Sequence, residues 1–131
     1  MPSAVLDSWA VLALLDDEPA APRVEAVVEG GDACISWINL GEVMYETLRR
    51  RGEERARVAL DAVRARIGAE LPDEAMVLAA ARLKARGGLS YADAFCVATA
   101  RRHRAPLYTG DPEIVKLDGD GVEVVDLRRS R

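Results

Sequence analysis

The feature that most constrains this chain is a set of short apolar runs, each three or four residues long, separated by stretches patterned as helices. Ala4-Val5-Leu6, Ala33-Cys34-Ile35 and Leu107-Tyr108-Thr109 are too short to be helices and carry no polar alternation. Such runs read as strands buried on both faces, which is the signature of a parallel sheet covered by helices. Ala69-Glu70-Leu71 and Val122 to Val125 are two weaker strand candidates.

Between them the helical stretches are punctuated by the expected signals. Trp9 to Leu15 contains no Gly or Pro and follows Ser8 as a mostly buried helix. Pro19 and Pro22 interrupt the chain, and a helix from Arg23 to Glu29 is closed by Gly30-Gly31. A helix opening at Asn39 runs to about Arg51 and stops at Gly52. Glu53 to Ile67 has apolar residues at 56, 59, 60, 63 and 67, one helical stripe against a charged face. Pro72-Asp73 starts a helix to about Arg86, and Ser90 caps the next. Strands alternating with helices predict an α/β domain with a mainly parallel central sheet. No repeat or linker divides the 131 residues, so a single domain over 1–131 is expected.

Composition excludes several classes. The longest apolar runs, Trp9 to Leu15 and Ala75 to Ala81, fall far short of the ~18 residues of a membrane span, so no membrane partner is expected. Asp7 interrupts the first apolar segment, which therefore does not read as a secretion leader. Cys34 and Cys96 lie inside apolar segments and read as buried free thiols suited to a reducing cytoplasm, with a disulfide or metal pair as the alternative. A net charge of −4 rules out nucleic-acid binding through bulk positive charge. Arginine nonetheless dominates the cations and clusters at Arg49-Arg50-Arg51, at Arg101-Arg102 with Arg104, and at Arg128-Arg129 with Arg131. Two of these clusters fall near helix C-termini, where the helix dipole favours cations whatever their further role. His103, the single histidine, reads as a solvated helix-end residue, which leaves no Ser-His-Asp or Cys-His chemistry. Neither GxxxxGK[ST] nor GxGxxG occurs.

Four acids remain: Asp7, Glu42, Asp93 and Asp111. Each alone has a plain explanation as a helix cap. Asp7 and Asp111-Pro112 precede helices, Asn39 and Glu42 have capping-box spacing, and Ser90 with Asp93 has the related one. Together, however, three of them fall at strand-to-helix corners and Asp93 opens the helix before the Leu107 strand. In an open α/β sheet that edge is the ligand crevice. Two unit charges ~4 Å apart at an effective dielectric of 20 repel by about 4 kcal/mol, so converging carboxylates call for a cation. Oxygen donors without His or Cys favour Mg²⁺ or Mn²⁺, the equipment of phosphodiester hydrolysis. Two other readings compete. A receiver-type phosphoacceptor domain needs a second acid beside Asp7 and a Lys at a late corner, and the sequence has neither. A non-catalytic binding module would use the acids only as caps.

The segments Val5-Leu6-Asp7-Ser8-Trp9-Ala10, Ser36 through Glu42-Val43, Tyr91-Ala92-Asp93-Ala94 with Ala98-Thr99-Ala100, and Leu107-Tyr108-Thr109-Gly110-Asp111 resemble a PIN-domain ribonuclease of the VapC toxin type. The resemblance covers nearly the whole chain. It implies an α/β/α sandwich, an endoribonuclease acting as the toxin of a toxin–antitoxin pair, a homodimer, and a cognate antitoxin that threads a segment into the acidic groove. It also implies that Asp7 and Asp93 are the direct Mg²⁺ ligands, that Glu42 and Asp111 complete the acidic pocket, and that Thr109 orients it. Ser8-Trp9 departs from the Thr-Ser or Ser-Ser of many relatives, which bears on groove shape.

Overall fold

A computed structural model describes residues 1–129. Its elements run β1 (Ala4–Leu6), α1 (Ser8–Leu15), α2 (Ala21–Glu29), β2 (Ala33–Ser36), α3 (Trp37–Arg51), α4 (Glu53–Arg66), β3 (Gly68–Glu70), α5 (Glu74–Ala85), α6 (Tyr91–His103), β4 (Leu107–Thr109), α7 (Pro112–Val115) and β5 (Val124–Asp126). The strands form one sheet in the order β3-β2-β1-β4-β5, and every pairing is parallel. The alternating pattern of the sequence is thus realised as an α/β sandwich with a parallel centre.

Side chains alternate across a strand, so each short run feeds two cores. Val5, Cys34, Leu107 and Val124 point into a layer built from α5, α6 and α7, with Phe95, Val97 and Ile114. Leu6 and Ile35 point the other way, onto Val11, Val24, Leu40, Val43 and Val63 of α1 to α4. Val5, Leu6, Ile35 and Leu107 are fully buried, each contributing about 1.5–3 kcal/mol of burial energy. In β1 and β2, three or four residues suffice because neither face meets water.

Several boundaries differ from the pattern reading. Pro22 does not break the chain but lies in the first turn of α2, where its missing N–H costs no hydrogen bond. α3 begins at Trp37 rather than Asn39, because Ser36 caps it by accepting from the Ile38 N–H at 3.2 Å. Asn39 is therefore inside the helix, and the capping-box reading of Asn39 with Glu42 is corrected. The last strand starts at Val124 rather than Val122, after a turn through Gly119 and Gly121. The caps assigned to Asp7, Ser90 and Asp111 hold, at 2.9 Å, 3.1 Å and 2.9 Å from the Ala10, Asp93 and Glu113 amides. The basic clusters occupy the last turns of α3 and α6, while Arg131 of the third lies outside the described residues. Among the described residues no helix is long and apolar enough to cross a membrane.

Strand order positions the site. From β1 the chain steps outward to β2 and β3, then returns to place β4 and β5 on the other side of β1. The reversal falls between β1 and β4, and loops leaving such a pair diverge to open a crevice at their carboxyl ends.

Candidate active site

Asp7 leaves β1 at that crevice, and Thr109 ends β4 beside it, one residue past the Leu6–Tyr108 register pair. Both are buried. One Asp7 oxygen accepts from the Ala10 amide at 2.9 Å, and the other accepts the hydroxyl proton of Thr109. Thr109 Oγ1 in turn accepts from the Asp111 amide at 2.9 Å. A single hydroxyl thus ties the two strand ends together.

Asp93 comes from the opposite direction, in the first turn of α6. Its carboxyl lies close enough to Asp111 for one to hydrogen-bond the other, and it also feels the charge of Glu42. Glu42 reaches the crevice from α3, one turn further into its helix than a capping residue would be. Asn39, fully buried, donates from Nδ2 to Glu42 Oε1 at 3.1 Å and to the Ala92 carbonyl at 3.0 Å. That side chain joins α3 to α6 next to Asp93. Its Oδ1 is buried with no hydrogen-bond partner.

Electrostatics follow from this convergence. Burial pushes the Asp7 carboxyl up to about 7 from 3.8, and the charges of Asp93 and Asp111 add to the rise, while Thr109 and the Ala10 amide oppose it. Asp93 rises to about 6 from burial first, then repulsion by Asp111 and Glu42. The thiol of Cys96, beneath the crevice, is pushed well above its usual range by burial and then by all four carboxylates. The structure therefore brings together every acid singled out from the sequence.

The acids do not close into a tight cage. Among the described residues, only Cys34, Glu70 and His103 place three ligand atoms within 4.8 Å of one another, so the four carboxylates are spread more widely. An all-oxygen, loosely spaced, charge-repelling set fits a hard divalent cation that takes one or two carboxylates directly and keeps several waters. The same spread fits poorly with an ion caged by all four.

Three residues at the site escaped the sequence reading. Asn39 reads as a helix start in the sequence, yet inside α3 its amide bonds Glu42 three residues on and reaches across to the Ala92 carbonyl of α6. Arg128, bonded to Asp126 at 2.9 and 3.0 Å, lies near enough for its charge to reach Asp111. Gly110 faces Trp9 so closely that a Cβ there would lie 2.2 Å from the indole. Trp9, the departure after Asp7, is accommodated by that missing side chain. Trp9 and Arg128 also border a groove of about 630 Å³ that continues past Leu12, Asp16, Pro19, Arg23 and Leu127. Glu46 is not part of the site; it pairs with Arg49 at 2.9 Å on the surface. His103 is corrected too: it is not solvated but bonded to Glu70 at 2.7 Å, with only 12% of its side chain exposed.

A parallel sandwich with acids gathered at its β1–β4 switch point describes a class of α/β folds rather than one protein. The profile of the PIN domain family matches residues 4–120, and the chain belongs to that family. Solved structures agree in fold. A toxin–antitoxin complex from Klebsiella pneumoniae is 24% identical over 95% of this chain and 98% of that one, with a TM-score of 0.72. DNA-bound VapBC from Salmonella typhimurium is 18% identical over 97% and 99%, TM-score 0.77. The sarcin-ricin loop cleaving toxin VapC20 of Mycobacterium tuberculosis is 22% identical over 87% and 94%, TM-score 0.73. No curated protein matches the sequence.

Proposed function

We propose that this chain is a divalent-metal-dependent endoribonuclease, acting as the toxin of a toxin–antitoxin pair. The observation that carries the reading is the convergence of four acids on one crevice, two of them driven toward protonation by burial and by neighbouring carboxylates. Carboxylates so placed gain from a cation what they lose to repulsion. Asp7 and Asp93 are the direct ligands in this reading, with Asp111 and Glu42 completing the pocket, and Mg²⁺ is the preferred ion, with Mn²⁺ a substitute. Such an ion polarises the scissile phosphate and makes water a nucleophile near neutral pH.

The chain's own groups do the positioning. Thr109 fixes the orientation of Asp7. Asn39 holds one oxygen of Glu42, which leaves the other to take the proton of the attacking water. Arg128, held by Asp126 through Nε and Nη2, adds positive charge that reaches Asp111 and would favour the phosphate backbone. Helix capping alone explains one oxygen each of Asp7 and Asp111, but neither Asn39's grip on Glu42 nor the pairing of Asp93 with Asp111.

The antitoxin assignment draws on structural neighbours solved as toxin–antitoxin complexes. The groove bordered by Trp9 and Arg128 would receive the antitoxin segment, and a homodimer and a cytoplasmic setting complete the proposal. The test is cleavage of RNA by purified, antitoxin-free protein with Mg²⁺, wild type against Asp7→Asn and Asp93→Asn. Lost cleavage in folded variants supports the reading; equal cleavage in all three refutes it.

A further inference from the structure

A second cluster stands apart from the four acids, at the edge of the sheet formed by β2 and β3. Cys34, the second residue of β2, pairs in register with Gly68, two residues before Glu70 on β3. These three positions share one sheet face because side chains alternate along a strand. His103, in the last turn of α6, packs onto that face with its Nε2 2.7 Å from Glu70 Oε2. The Cys34 sulfur, the His103 nitrogen and the Glu70 oxygen all lie within 4.8 Å of one another.

We propose that Cys34, Glu70 and His103 form a second metal site, taking a borderline transition ion of the zinc type and tying edge strand β3 to β2 and to the end of α6. The donor set selects the ion. Thiolate, imidazole and carboxylate together are zinc-type ligands, whereas Mg²⁺ seeks oxygen alone. The hydrogen bond between His103 and Glu70 accounts for two of the groups, but not for a thiol held beside them.

Geometry asks for a small adjustment. Ligands about 2.0–2.3 Å from a tetrahedral ion stand roughly 3.3–3.8 Å apart, so the 2.7 Å pair of His103 and Glu70 opens slightly on binding. The imidazole proton moves to Nδ1 and the thiol proton leaves to solvent, so that the ion meets a lone pair and a thiolate. Burial and Glu70 push the thiol up to about 12, which makes binding strengthen with pH. Access comes from a cavity of about 300 Å³ lined by Cys34, Gly68, Glu70 and Asp32. A water or an exogenous ligand from this cavity fills the fourth position.

The test is titration of the metal-free chain with Co²⁺, a spectroscopic stand-in for Zn²⁺. One equivalent should bring up a thiolate-to-cobalt charge-transfer band with tetrahedral d–d bands. Both should vanish in Cys34→Ser and weaken severalfold in His103→Gln, yet persist in Cys96→Ser and Asp93→Asn. Zn²⁺ should raise the melting temperature of the wild type and fail to raise that of His103→Gln. No charge-transfer band, or one that survives Cys34→Ser or stays undiminished in His103→Gln, overturns the proposal. Should Cys34→Ser not fold, the His103→Gln and Cys96→Ser pair decides alone.

Discussion

Replacing Asp7 by asparagine is expected to stabilise the metal-free protein at neutral and alkaline pH. Asp7 is 2% exposed, and its carboxyl is raised from 3.8 to about 7 by burial and by Asp93 and Asp111. Between those values the folded state holds a proton that the unfolded state has lost. Stability therefore falls as pH rises through that window and levels off above it. At ~1.4 kcal/mol per pKa unit the ionised carboxylate costs about 4 kcal/mol once deprotonated. Asparagine keeps the shape and never ionises, but it no longer accepts the Thr109 hydroxyl, a loss of about 1 kcal/mol. The expected gain is about 3 kcal/mol at pH 8, shrinking to zero or below near pH 4. Urea denaturation with chelator at pH 4.5, 6 and 8 reads it directly. The wild type should lose stability along that series relative to Asp7→Asn, and Mg²⁺ at pH 8 should restore the wild type alone. Parallel pH profiles for the two proteins, or a variant less stable at pH 8, would show that Asp7 is not a strained buried acid.

Further outcomes follow from neighbouring contacts. Thr109→Val removes the hydroxyl that lowers the Asp7 carboxyl, so NMR titration of the metal-free variant should find Asp7 still further up than in the wild type. Asn39→Ala frees Glu42 and the Ala92 carbonyl; it should cost about 1–3 kcal/mol in denaturation and lower kcat more than it raises KM for RNA. Gly110→Ala forces Trp9 out of its place, with a loss of about 1–3 kcal/mol and a change in tryptophan emission that Ala105→Gly should not produce.

The sequence alone determined the architecture, because runs as short as Val5-Leu6 and Leu107-Tyr108 bury both faces only inside a helix-covered parallel sheet. It also determined the helix-start positions of Asp7, Asp93 and Asp111, since capping chemistry is local and is written within three residues. What escaped it depends on contacts between distant segments. Asn39 looks like a cap in one dimension, and its bridge to the Ala92 carbonyl exists only where α3 crosses α6. His103 looks solvated until the edge strand brings Glu70 and Cys34 to it. Gly110 looks like an ordinary loop residue until Trp9 packs against it. Local hydrogen bonds and side-chain periodicity leave marks in sequence; the distances between residues 9 and 110, or 34, 70 and 103, are fixed only when strand order closes the sheet.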